Sequence, residues 1–121
     1  MVDAPDLGIG TGREVGRELL SRSVDGVVCP SDLLAVGVIQ AATELGIRVP
    51  DDLLVVGYDD NHFASESSVP VSTVSLPGYQ MGERAIELLL EEIHSPADHT
   101  HRAVMLDPHL IPRRSTLRSQ L

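Results

Sequence analysis

Carboxylates, hydroxyls and imidazoles are the groups in this chain that can bind or transform a small molecule, and they gather at few places. Asp59 and Asp60 stand side by side just after the apolar run Leu53-Leu54-Val55-Val56-Gly57. Ser31 and Asp32 follow a second run, Gly26-Val27-Val28-Cys29. An ionised carboxylate accepts several hydrogen bonds, which suits the paired hydroxyls of a sugar or the N–H groups of a base. Asp32, Asp59 and Asp60 together would also suit a hard cation such as Mg²⁺. No lysine exists to assist phosphoryl chemistry beside such an ion. Adjacent residues of an extended chain point to opposite sides, so Asp59 and Asp60 do not read as a shared-proton dyad. Asp60 doubles as a cap for the turn after it, and Asp32 as a first-turn acid favoured by the helix dipole. His94, His99 and His101 have metal-binding chemistry but sit in a polar linker without Cys or acid at ligand spacing, so they read as solvated. Cys29 has no base beside it and reads as a small buried hydrophobe. Gly8-Ile9-Gly10-Thr11-Gly12 lacks the strand, spacing and lysine of a phosphate loop.

The elements that must position these groups follow from periodicity. Thr11 to Arg22 is a helix, with Thr11 as cap and Glu14 at capping-box spacing. Val15, Leu19 and Leu20 share its apolar face, and Glu14–Arg17 and Glu18–Arg22 are compensating pairs. Gly26 to Cys29 is a short buried strand. Ser31 or Asp32 caps a helix to about Leu45 that is apolar nearly all round, hence covered on more than one side. Gly46 ends it. Leu53 to Gly57 is a strand buried on both faces. Tyr58 to Pro70 is a polar loop with one helical turn, and Val71 to Leu76 is a strand. Tyr79 to Ile93 is a helix with the stripe Met81, Ala85, Ile86, Leu89 and Ile93. Arg102 to Leu106 and His109 to Pro112 are short strands, and Arg113 to Leu121 is a polar tail. Alternating helices and strands imply an α/β fold, a mostly parallel sheet flanked by helices. In such a sheet the two strand ends bearing Ser31-Asp32 and Asp59-Asp60 lie side by side, where ligands bind.

Bulk properties narrow the class. With 121 residues the chain makes one modest domain. A formal net charge of -9 repels phosphate backbones, so these residues are not expected to bind DNA or RNA themselves. A single cysteine rules out an internal disulfide. Met1 to Asp6 has neither the basic region nor the apolar core of a signal peptide, which with the lone cysteine points to the cytoplasm.

The residues Asp25-Gly26-Val27-Val28-Cys29-Pro30-Ser31-Asp32-Leu33-Leu34-Ala35-Val36-Gly37 resemble a segment of the LacI/GalR (lactose-repressor) family of bacterial transcription regulators. So do Leu45-Gly46-Ile47-Arg48-Val49-Pro50-Asp51-Asp52 and Gly57-Tyr58-Asp59-Asp60, then Ser72-Thr73-Val74, Met81-Gly82-Glu83-Arg84-Ala85 and Arg113-Arg114-Ser115-Thr116, in order over about residues 11 to 116. The resemblance implies one lobe of a periplasmic-binding-protein-like type I effector domain, a single partial domain over 1–121. Helix 79–93 would cross to a first lobe not in this sequence, and the helix-turn-helix head that meets operator DNA would also lie outside it. It implies no enzyme activity, no cofactor and no metal. Effector, a sugar or nucleobase, would be contacted by Asp59, Ser31 and Asp32, and more weakly by Asp60 and Tyr58. Ser31 replaces the family's usual Asn, which shortens that reach, and Arg114 replaces a usual glycine. Val36, Gln40 and Phe63 would lie at a homodimer interface. Without a first lobe, the stripe of helix 79–93 is expected to fold back or to pack on another chain, by domain swapping for instance. Two other readings remain: a transport-type sugar-binding protein, and a metal-dependent enzyme with an acidic pocket.

Overall fold

The computed structural model describes residues 1–98 and 100–118. In chain order it contains α1 (Ile9–Leu20), β1 (Gly26–Val28), α2 (Asp32–Glu44), β2 (Leu54–Val56), α3 (His62–Glu66), β3 (Thr73–Ser75), α4 (Gly78–His94) and β4 (His109–Ile111). One expected strand does not form: residues 101–108 carry no regular structure. Arg102 to Leu106 carries a short apolar run, but a strand needs a neighbour for its N–H and C=O groups, and β3 is paired with β4 instead.

β1 and β2 pair in parallel with Gly26 opposite Leu54 and Val28 opposite Val56. β2 meets the residue before β3 through a parallel bridge between Val56 and Ser72. The early half of that junction is filled by the end of the chain. Val55 N–H donates to the Ser115 carbonyl and Ser115 N–H to the Pro70 carbonyl, at 3.1 and 2.9 Å. The buried Ser115 hydroxyl donates to the Val55 carbonyl and accepts the Ser72 N–H. The expected polar tail is therefore woven into the sheet over residues 113–116; residues 119–121 lie outside the described ones.

Burial differs from the sequence reading at both strands. Leu53 and Val55 are fully buried, whereas Leu54 and Val56 are only half-buried. β1 is not a buried strand. It is paired on one side only, and Val28 is 81% exposed.

α2 is the centre of the core, as its all-round apolarity required, with Leu34, Ala35, Val38, Ile39, Ala41 and Ala42 buried. α1 covers one side with Leu20 of the expected face and with two glycines, while Val15 and Leu19 are half-buried. Gly12, Gly16 and Leu20 are its buried residues. A Cβ on Gly37 would lie 2.2 Å from the Ile9 carbonyl, and one on Gly12 2.3 Å from the Leu34 carbonyl. The two backbones touch, and side chains there would force them apart. Arg13 and Arg17 of α1 both reach Glu44 of α2 at 2.6 Å, so Arg17 does not pair with Glu14. Glu18 and Arg22 do pair, at 2.6 Å.

The helix ends are set locally. α1 starts at Ile9 after Gly8, with no side-chain cap. The expected cap, Thr11, is inside the helix; its hydroxyl and the Gly8 N–H hold the Asp6 carboxyl below its ordinary range. α2 is capped by Ser31, whose hydroxyl oxygen accepts the Leu33 N–H at 3.2 Å. It ends at Gly46 (φ 72°), with Gly46 N–H donating to Thr43 and Ile47 N–H to Ala42. That double closure satisfies carbonyls the last turn leaves open. Arg48 then grips Asp52 with its backbone N–H and its guanidinium, holding that carboxyl down to about 2 and shaping the turn into β2.

Residues 76–109 form a compact unit distinct from the one built by the rest. Within it, Arg84 pairs with Glu87 and Arg102 with Glu91. None of the 17 residues of α4 is buried. Met81, Ile86, Leu89 and Ile93 are all exposed.

Candidate functional site

The parallel register makes the chain leave β1 and β2 at the same edge. Cys29 N–H donates to the Val56 carbonyl at 2.8 Å, and Asp32 N–H to the Tyr58 carbonyl at 3.0 Å. Ser31 is buried, its hydroxyl spent on the helix cap and on the Leu7 carbonyl at 3.5 Å. Asp32 is fully buried. Its Oδ1 accepts the Thr73 hydroxyl at 2.6 Å and its Oδ2 the Asn61 N–H at 2.9 Å. A Cβ on Gly57 would lie 2.2 Å from Asp32 Oδ1, so only glycine lets the end of β2 pass this carboxylate.

Past Gly57 the chain turns sharply. Asp59 and Asp60 both have positive φ, 95° and 52°. That region is sparsely occupied by side-chain-bearing residues, Asp being among the more tolerant. Asp59 N–H donates to the Val74 carbonyl at 3.0 Å, which pins its backbone to β3. Its side chain is exposed and has no partner among the described residues. Asp60 is different. Its Oδ1 accepts from Arg113 Nη2 at 2.6 Å, and its N–H donates to Thr73 Oγ1 at 3.3 Å. It does not cap the next helix: α3 follows Asn61, with no side-chain cap bond. The edge thus holds three carboxylates in three states, and only that of Asp59 is unengaged.

The acidic metal pocket is not what these residues build. Among the described residues no group of three or more His, Cys, Asp or Glu is placed to hold an ion. Asp32 and Asp60 instead face the hydroxyl, amide and guanidinium donors just named. His94 ends α4 with Nδ1 2.8 Å from the Leu90 carbonyl, His101 is exposed, and His99 lies outside the described residues. Burial, and secondarily the Asp32 carboxylate, pushes the Cys29 thiol up to about 12. Of the residues expected at an interface, Val36 is half-buried against the core, while Gln40 and Phe63 are exposed. The Phe63 ring stacks on His62, centroids 3.8 Å apart. A separate apolar groove of about 650 Å³ runs beside β1, α1 and α2; Tyr58 lines it and Asp59 does not.

Two residues of this edge had no role in the sequence reading. Thr73 bridges Asp32 and Asp60, and Arg113 arrives from 53 positions beyond Asp60. Thr73 sits inside an alternating strand, where its hydroxyl is one of many. Arg113 heads Arg113-Arg114-Ser115-Thr116, one of the segments that resemble the LacI/GalR family, but nothing in the sequence pairs it with Asp60. Arg114, the departure from glycine, is exposed and has no positive φ, so the position makes no demand for glycine here.

Over residues 4–116 the sequence matches the family described as periplasmic binding protein-like domain. The chain belongs to that family. This periplasmic-binding-protein-like chain is 42% identical over 106 residues to the HTH-type transcriptional regulator MalR of Streptomyces coelicolor, covering 87% of the chain and 30% of the regulator. Its fold is similar to that of the lac repressor dimer bound to operator and the anti-inducer ONPF (TM-score 0.80, 27% identity, 93% of this chain and 40% of that one). It is similar also to the transcriptional regulator CelR in complex with cellobiose (TM-score 0.80, 36% identity, 91% of this chain and 34% of that one). All three are regulators rather than enzymes, and they favour the LacI-type reading over a transport protein. The chain spans about 30% of the length of the curated relative it matches. Among the described residues no helix is long and apolar enough to cross a membrane.

Proposed function

We propose that this chain is the effector-reading lobe of a cytoplasmic LacI-type transcription regulator, and that Asp59 is its anchor for effector. The supporting observation is the state of the carboxylates at the strand edge. Asp32 and Asp60 are taken up by Thr73, Asn61 and Arg113, while Asp59 is presented unpaired on a turn tied to β3. A free carboxylate on a rigid support suits two adjacent hydroxyls of a sugar, or the N–H groups of a nucleobase. A relative solved with cellobiose supports the sugar class. Ser31 and Asp32 shape the floor beneath Asp59, Asp60 holds the turn, and Tyr58 offers an exposed ring beside it. Effector closing a second lobe over this edge would bias operator binding by the DNA-binding head, through differential affinity for the two states. Val36, Gln40 and Phe63 contribute to a homodimer, the form in which the lac repressor relative was solved.

The test is a thermal-shift and calorimetric screen of the full-length regulator against sugars, cellobiose included, and nucleobases. The expected outcome is a hit whose affinity falls at least about tenfold in Asp59→Asn, or 1.4 kcal/mol, with an unchanged melting temperature without ligand. A ligand bound equally well by Asp59→Asn would remove Asp59 from the site.

A further inference from the structure

The turn that presents Asp59 is an unlikely object for its own sequence to hold. Two consecutive side-chain-bearing residues, Asp59 and Asp60, have φ of 95° and 52°. Such backbone persists only where the surroundings over-determine it. Val74, Thr73 and Asp32 hold the N–H groups of Asp59, Asp60 and Asn61, and one distant residue adds the side-chain clamp. Arg113 Nη2 donates to Asp60 Oδ1 at 2.6 Å, and its Nη1 donates to the Val71 carbonyl at 3.1 Å. Its backbone N–H donates to Ser72 Oγ at 2.7 Å. The guanidinium therefore spans from the segment before β3 to the second residue of the turn. The pair is sheltered, with side chains 19% and 25% exposed, whereas pairs such as Arg17–Glu44 and Arg84–Glu87 among the described residues are at least 36% exposed on each side. Arg113 is itself fixed by neighbours: Ser115 and Thr116 lock the following backbone to β2 and to Ser72.

We propose that Arg113 is a positioning residue for effector binding: through Asp60 it sets the backbone that aims the Asp59 carboxylate, without touching ligand. The segment 113–116 is thereby coupled to the binding edge. This rests on the assignment of Asp59 as the effector anchor, and the two can fail separately.

The experiment uses the full-length regulator, with cellobiose as probe alongside any sugar found to shift its melting temperature. Arg113→Gln and Asp60→Asn are each expected to weaken sugar binding about tenfold. In an Asp59→Asn background Arg113→Gln is expected to cost nothing more, since its effect passes through Asp59. Arg113→Lys, which keeps a cation, is expected to recover part of the loss. A second measurement needs no ligand: the carboxyl ¹³C resonance of Asp59 should move in Arg113→Gln and in Asp60→Asn, while the amide of Gly46, at the far end of α2, stays in place. If Asp59→Asn binds sugar normally, the anchor assignment fails, and the Asp59 resonance still decides the positioning role. An Asp59 resonance unmoved by both variants overturns the proposal, as does an Arg113→Gln loss that persists undiminished in the Asp59→Asn background. Should Arg113→Gln fail to fold, Asp60→Asn, which removes the same ion pair and keeps a residue tolerant of positive φ, carries the test alone.

Discussion

Asp32 has no solvent contact, and each of its oxygens accepts a hydrogen bond from a different element. Truncation would leave the Thr73 hydroxyl and the Asn61 N–H without their acceptor. Asp32→Ala is expected to cost roughly 1–3 kcal/mol for each group left unpaired, measured by urea denaturation, whereas Asp59→Ala at an exposed position should leave the midpoint nearly unchanged. Cys29 supplies a second residue-level prediction. Its folded thiol pKa is raised to about 12, above the ordinary value of 9.0. A raised pKa means the folded state favours the protonated form. That contribution is complete below the ordinary thiol pKa and is lost as pH climbs toward the folded one. Stability is therefore expected to fall between pH 9 and 12 with a slope that Cys29→Ala flattens, followed by denaturant midpoints across that range. Ser31 and Asp32 were legible as the start of a helix, but not as buried; burial depends on what β3 and the loop after β2 lay over them.

The pairing of α1 with α2 is decided by residues without side chains. Gly12, Gly16 and Gly37 let the two helices meet backbone to backbone. Gly37→Ala places a methyl group against the Ile9 carbonyl and the Arg13 amide, and is expected to cost at least the roughly 1–3 kcal/mol of an overpacked core; calorimetric melting would check it, and an unchanged melting temperature would contradict the close contact. Hydropathy periodicity placed α1 and α2 within a few residues, yet it located the contact at Val15 and Leu19, because a glycine adds nothing to an apolar count. It also read β1 as buried, since an apolar run of that length is the same at an edge as at the centre of a sheet. The strand expected at Arg102 to Leu106 fails for a related reason: an apolar run qualifies a segment to be a strand, and only an available neighbour makes it one.

Across the whole molecule, α4 keeps a stripe of Met81, Ile86, Leu89 and Ile93 open to solvent. Apolar faces of that kind are seldom left wet in soluble monomers. Expressed by itself, the chain is expected to associate with a second copy through this face. Light scattering over a concentration series would detect it, and Ile86→Glu with Leu89→Glu should return the chain to a monomer. A chain that stays monomeric at its highest soluble concentration would contradict the expectation.

Local chemistry was enough to place the helices and most strands, the Ser31 cap, the Gly46 stop and the acids at the end of β2, because each depends on neighbours within a few residues. The rest needed the folded chain. The three carboxylates at the two strand ends became one buried hydrogen-bond acceptor, one ion-pair partner and one exposed, unpaired group. What separates them is burial and the arrival of Thr73, Asn61 and Arg113 from other parts of the sequence. A carboxylate's chemistry is written in its residue type, but its availability is set by which donors reach it, and that is a property of tertiary structure.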